Sequence, residues 1–242
     1  MSLKFALVGY GKMGKEIHQI AQDRDHEISF IIDQDNATDI EKLSKENTDV
    51  AIEFSNPAVA FTNISTCLKK GIKVLSGTTG WLSRLSEIQQ LVDTRQGTFF
   101  YASNYSTGVN ITFHLNEYLS AIMKGHKAYS VKIDEIHHTE KKDSPSGTAI
   151  SLAEGIMTKD ATKTGWTEEE TAADDKIPIH AQRIPHVPGT HIVSYTSDQD
   201  IIEIKHTALG RKGFALGALN VAEWLASKQG FLTMQDYLKI AS

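Results

Sequence analysis

An α/β fold, with a doubly wound parallel sheet followed by a smaller α+β domain carrying a mixed sheet, is predicted by three features of this sequence. Short apolar runs alternate with helical stretches over the first hundred residues. A glycine-rich turn joins the first of those runs to the first helix. Beyond Asn104, strand-like runs follow one another with few helices between them. Alternation of short strands with helices implies parallel strands joined by right-handed crossovers. Strands in succession imply a mixed or antiparallel sheet with helices of its own.

Taken in order, the strand candidates of the first part are 3–8, 27–33, 49–54, 72–76 and 98–101. Helix-like segments lie between them near 12–22, 38–46, 57–70 and 83–95. A sheet of this kind takes ligands outside the carboxyl ends of its strands. After it come a long helix over about 106–123, a strand over 128–136, and a helix opening near Pro145. Three strands follow at 180–187, 191–196 and 201–206, and a helix over 214–228 with Leu216, Leu219, Val221, Ala222 and Leu225 apolar. The polar stretch 158–176, with Glu168 to Glu170, reads as an exposed loop or short helix. The expected division is residues 1–104 with 212–242 as one domain and 105–211 as the other.

The chain has 242 residues, a formal charge of −5, 40% hydrophobic and 23% charged residues. That is an ordinary globular balance. No basic block is present, which argues against a nucleic-acid partner but leaves room for a local cationic pocket. The single cysteine, Cys67, allows no intrachain disulfide, so a reducing, cytoplasmic setting is expected. The apolar run at the N-terminus is too short for a signal core or a membrane span.

Gly9-Tyr10-Gly11-Lys12-Met13-Gly14 is a G-x-G-x-x-G turn between the first strand and the first helix. Gly9 permits the tight turn, Gly11 lets a pyrophosphate approach the backbone, and Gly14 lets helix and strand pack closely. The helix N-terminus supplies free amides and a positive dipole end. Asp33 closes the second strand about 20 positions beyond, where a carboxylate would bond the adenosine ribose. Gln34, not a cation, follows it, so NADH is expected to be preferred over NADPH. Lys12 tempers this, because it could reach a phosphate. Ser76 to Gly80 and Ala102 to Tyr105 follow the fourth and fifth strands at the edge where a nicotinamide should lie, although such residues also populate ordinary turns.

Glu135 to Ala149 is the most informative stretch. Ser144 reads as an N-cap with Pro145 at the first helical position, leaving the amides of Ser146, Gly147 and Thr148 ready to hold an anion. His137 and His138 would face opposite sides of a continuing strand, so the strand must end there for both to serve one site. Imidazole suits proton transfer near neutral pH, and Lys141 supplies a proton or a positive charge. No metal site is expected, since neither H-E-x-x-H nor paired cysteines occur.

The run His137-His138-Thr139-Glu140-Lys141-Lys142-Asp143-Ser144-Pro145-Ser146-Gly147-Thr148-Ala149 resembles the H-H-x-x-K-x-D-x-P-S-G-T-A signature of dihydrodipicolinate reductases. The likeness continues in family order through Gly77-Thr78-Thr79-Gly80, Asn104 to Gly108, Arg183 with Gly189-Thr190-His191, and His206 to Arg211. The glycine loop is one residue shorter than the common family form, and Tyr105 stands where Phe is frequent. The resemblance implies a Rossmann-type domain, a substrate and oligomerisation domain, and a homotetramer. It implies reduction by NADH or NADPH of a small cyclic unsaturated dicarboxylate to tetrahydrodipicolinate, in the diaminopimelate route to lysine. It also implies His137 as proton donor or acceptor and Lys141 as proton donor, with His138, Gly147 and Thr148 holding substrate. Cofactor contacts would come from Gly9, Tyr10, Gly11, Lys12, Met13, Gly14, Asp33, Gly77, Thr78, Thr79, Ala102, Ser103, Asn104 and Tyr105. Closure of the two domains would bring cofactor and substrate together. Two rival readings differ in chemistry. A semialdehyde dehydrogenase needs a nucleophilic cysteine, whereas Cys67 falls mid-helix. A non-catalytic nicotinamide-binding scaffold gives no reason for the His–Lys segment.

Overall fold

The computed structural model describes residues 2–169, 173–210 and 212–239. The predicted features at Glu170 and Arg211 lie outside the described residues. The chain divides into two compact units, one of residues up to Ser106 together with those from Lys212 onward, the other from Thr107 onward.

The first unit is a six-stranded sheet in the order β11-β5-β4-β3-β1-β2, with every pairing parallel. Its strands are β1 (Lys4–Val8), β2 (Glu27–Ile32), β3 (Val50–Glu53), β4 (Lys73–Ser76), β5 (Thr98–Tyr101) and β11 (Gly230–Leu232). Helices α1 (Lys12–Asp23), α2 (Pro57–Lys69), α3 (Leu85–Arg95) and α6 (Lys212–Leu225) cover its two faces. One face packs Phe5, Leu7, Ile52, Leu75 and Phe100 under α1 and α6. The other packs Ala6, Val8, Ala51, Val74 and Phe99 under α2 and α3. Alternate residues of each strand thus serve opposite layers, which is why these strands read as unbroken apolar runs.

The expected helix over 38–46 is instead a 3₁₀ segment at Gln34–Lys42, interrupted at Asn36. The Asp33 carboxylate accepts from the Gln34 amide, and Asn36 Oδ1 accepts from the Asp33 amide, so capping starts the turn early. Near its end, Ser44 and Asn47 bond each other's backbone in a turn that competes with helix. β11 and α7 (Met234–Leu238) are additions to the expected elements, each too short for a periodic signal.

The second unit is a mixed five-stranded sheet in the order β10-β9-β6-β8-β7, with α4 (Thr107–Met123) and α5 (Gly147–Lys159) packed together. Its strands are β6 (Ser130–His137), β7 (Gly165–Thr167), β8 (Lys176–Arg183), β9 (Gly189–Thr196) and β10 (Ile201–Ala208). β6 is central, parallel to β8 and antiparallel to β9. Part of the stretch expected as an exposed loop or short helix is therefore strand β7. No helix among the described residues is long and apolar enough to cross a membrane.

Candidate active site

In the first unit, the residues after β1, β2, β3 and β4 line two cavities at the carboxyl ends of the strands. One, of about 320 Å³, is walled by Val8 to Gly11, Asp33 with Gln34, and Phe54 to Asn56. The other, of about 450 Å³, is walled by Gly11, Lys12, Met13, Ser55 and Gly77 to Thr79. Gly9 has φ +98°, and a Cβ there would lie 2.2 Å from the Phe54 carbonyl oxygen. A Cβ on Gly14 would lie 2.4 Å from the Gly9 carbonyl oxygen, so the helix packs on the turn only because Gly14 lacks one. Around Gly11 there is open space, as a ligand-facing position requires. Asp33 is exposed at the rim, its carboxylate turned toward the Gln34 amide. Tyr10 is held by a 2.7 Å bond between its hydroxyl and His18 Nδ1.

Glu53, at the end of β3, organises these loops and carried no signal in the sequence reading. It is fully buried, yet no cation pairs with it among the described residues. Its carboxylate accepts from the hydroxyls of Ser55, Ser76 and Thr78 and from the Ser55 amide. Thr78 is thereby committed to holding the loop, while Thr79 stays exposed. Tyr105 is a core residue: it is 2% exposed, and its hydroxyl donates to the Ser76 carbonyl at 2.6 Å. Its carbonyl packs against α6, where a Cβ on Gly217 would lie 1.8 Å from that oxygen. Ala102 is buried, Ser103 exposed, and Asn104 accepts from the Ser106 amide.

The second unit gathers the His–Lys segment. Strand β6 ends at His137, as the two-histidine argument required, and His138 begins the loop. Helix α5 begins two residues later than expected: Ser146, not Ser144, is the N-cap, and Pro145 follows a cis peptide bond outside the helix. Ser146 Oγ accepts from the Ala149 amide, and the Ser146 amide donates to Glu135. Of the first-turn amides, those of Gly147 and Thr148 are left facing out of the helix end, with Gly147 exposed. The expectation that Ser146 also offers its amide to an anion is therefore corrected.

Lys141 Nζ donates to both oxygens of Asp143, at 2.9 and 2.8 Å. His137 is 8% exposed, and burial pushes its ring down to about 4 despite the Glu135 carboxylate nearby. His191 lies with its ring centroid 5.0 Å from that of His137. Glu135, His137 and His191 hold donor atoms within 4.8 Å of one another. The sequence reading passed over this cluster. One Glu135 oxygen takes Arg183 Nη1 at 3.1 Å and the other the Ser146 amide at 3.0 Å, so the carboxylate is already engaged by protein donors. Burial works to raise its proton affinity, but hydrogen bonding to His191 and Ser146, with the His137 ring nearby, holds it down at about 2. Gly189 borders the ring: a Cβ there would sit 3.1 Å from His137 Nε2.

Cys67 is 1% exposed, and burial pushes its thiol up to about 12, so it offers no nucleophile.

A parallel sheet with a glycine turn and two strand-end cavities, joined to a unit bearing imidazole, ammonium and open helix amides, defines a nicotinamide-dependent oxidoreductase. Comparison with known proteins is more specific. The family models for the dihydrodipicolinate reductase N-terminus and C-terminus match residues 3–105 and 108–238. The chain belongs to the dihydrodipicolinate reductase family. A 4-hydroxy-tetrahydrodipicolinate reductase of Christiangramia forsetii is 50% identical over 236 residues, 98% of each chain. One from Thermosipho africanus is 32% identical over 99% of each. Among solved structures, a dipicolinate-bound dihydrodipicolinate reductase from Paenisporosarcina sp. TG-14 superposes with a TM-score of 0.82 at 21% identity, covering 98% of this chain and 100% of that one. That likeness bears on the fold.

Proposed function

We propose that this protein is an NAD(P)H-dependent 4-hydroxy-tetrahydrodipicolinate reductase, producing tetrahydrodipicolinate on the diaminopimelate route to lysine. The observation that carries the reading is the 137–148 segment. One short stretch presents a buried imidazole, a lysine ammonium and two outward helix amides, inside a chain that is 50% identical to a reductase of that name along nearly its whole length.

The nicotinamide cofactor supplies the hydride when bound. Gly9, Gly11 and Gly14 fit its pyrophosphate, because a side chain at Gly9 or Gly14 would strike backbone while Gly11 faces open space. Asp33 would accept from the adenosine ribose hydroxyls, and its negative charge, unaccompanied by a neighbouring cation at Gln34, supports a preference for NADH. The loops at Gly77–Thr79 and Ala102–Tyr105 would border the nicotinamide, the latter through Ser103 and Asn104, with Tyr105 packed beneath the loop.

In the substrate-holding unit, the Gly147 and Thr148 amides and the Thr148 hydroxyl would take one carboxylate of the dicarboxylate. His138 and Lys141 would take the other. Hydride addition leaves negative charge on the neighbouring ring atom, which a nearby acid stabilises and quenches. His137 is neutral near pH 7 in the ligand-free protein, so it becomes an acid only once a dianion beside it draws a proton onto the ring. The Lys141 ammonium is paired with Asp143 in the ligand-free protein. It would leave Asp143 for the ligand, stabilising the developing charge and supplying a proton.

An apolar stripe along α4 supports self-association into a homotetramer. Ile111, Leu115, Tyr118 and Ile122 are 44%, 51%, 70% and 48% exposed at helical spacing. The reduced, buried Cys67 is consistent with a cytoplasmic setting.

NADH oxidation followed at 340 nm, with the substrate generated enzymatically in the cuvette, tests the activity. Turnover dependent on that substrate is expected. Cofactor binding without turnover would instead favour the scaffold reading.

A further inference from the structure

Glu135 lies in the buried register of β6 with Val131, Ile133 and His137, and it is 0% exposed. Its neighbours across the sheet are His191 on β9 and Ala181 on β8. A carboxylate in such a place is costly unless every lone pair has a use. Here the uses converge on the functional segment. Oε2 accepts from the Ser146 amide at 3.0 Å and lies 3.5 Å from His137 Nδ1 and 3.7 Å from His191 Nε2. Oε1 takes Arg183 Nη1, while Arg183 Nη2 donates to the Asp143 carbonyl at 2.7 Å. One side chain therefore reaches His137 at the start of the segment, Asp143 through Arg183 in its middle, and Ser146 at its end.

We propose that Glu135 is a positioning residue for the reduction: it holds the proton-carrying His137 ring and the anion-binding turn of α5 in one fixed arrangement. By turning the Ser146 amide inward it leaves only Gly147 and Thr148 to receive a carboxylate. Nδ1 of His137 has no hydrogen-bond partner, so the nearby carboxylate is also the group able to orient that ring. The inference rests on the reductase reading of this segment.

The charges facing His137 are Glu135 on its own strand, His191 on β9, Arg183 on β8 and Lys141 on the following loop. Of these only Glu135 favours the protonated ring. Glu135→Gln keeps an acceptor and the volume but removes that charge. In the full-length protein, kcat is expected to fall by ~30-fold or more with the NADH Kd unchanged, and the alkaline limb of the pH profile, where the His137 ring loses its proton, to move lower by about one pH unit. Glu135→Asp, which keeps the charge, should restore the position of that limb. NMR titration of the His137 ring in both variants gives the same comparison without turnover. It therefore separates failure of this inference from failure of the reductase assignment. Wild-type kcat in Glu135→Gln, or a lowered kcat with an unmoved limb and ring titration, would overturn the proposal. It would also fall if both variants lost NADH binding and cooperative melting, because the glutamate would then serve folding alone.

Discussion

The ring of His137 should take up a proton when a dicarboxylate binds. The free ring titrates at about 4, so at pH 6 only about 1% of it is charged. A carboxylate charge about 6 Å away, at an effective dielectric constant of roughly 20, is worth about 3 kcal/mol, or about two pKa units. Binding pyridine-2,6-dicarboxylate should therefore raise the ring to about 6 and draw in roughly half a proton per site at pH 6. Calorimetric titration at pH 6 in buffers of differing ionisation enthalpy reads this number directly, as the slope of observed heat against buffer enthalpy. His137→Asn should bring the slope close to zero, and at pH 8 the wild-type slope should vanish too. A free ring that titrates near 6.5, or a slope unaffected by His137→Asn, would refute the reasoning.

Lys141→Ala should lower kcat by ~10²-fold or more, with little change in NADH affinity, since Nζ is committed to Asp143 and the substrate side. Steady-state kinetics check both parts. Asp33→Ala should narrow the expected NADH preference by about tenfold, measured as the ratio of kcat/KM for NADH and NADPH; a wild-type protein favouring NADPH would contradict the role given to that carboxylate. Acid stability has a definite sign. Because His137 binds its proton less readily folded than unfolded, the unfolded chain holds more protons between about pH 6.5 and 4. Stability should fall by about 3 kcal/mol as pH drops through that window, with a further loss below about pH 4.5 as Glu135, held down at about 2, is titrated. Urea denaturation should show the first of these losses in the wild type and not in His137→Asn.

The parallel sheet was legible because buried strands make short apolar runs, and the glycine turn because only glycine fits beside the Phe54 and Gly9 carbonyls. The helix cap was misplaced by two residues. Ser144 and Ser146 are both suitable caps, and the choice is made by the Ser146 amide reaching back 11 residues to Glu135 on β6, a contact that local cap chemistry does not reveal. Tyr105 was read as a ligand contact because it sits at a strand end, yet its hydroxyl is spent on Ser76. Glu53 and Glu135 were passed over although a signal existed for the second. Counting by two from Val131 and Ile133 arrives at Glu135 and His137, placing an acid in the apolar register. No such count exposes Glu53, because β3 is buried on both faces and its partners lie at the end of β4 and in the loops after β3 and β4.

A crystal structure with bound pyridine-2,6-dicarboxylate tests the central claim most directly. One carboxylate should rest on the Gly147 and Thr148 amides, with Lys141 Nζ released from Asp143 and drawn to the other. A ligand seated away from residues 137–148, with the Lys141–Asp143 pair intact, would contradict it.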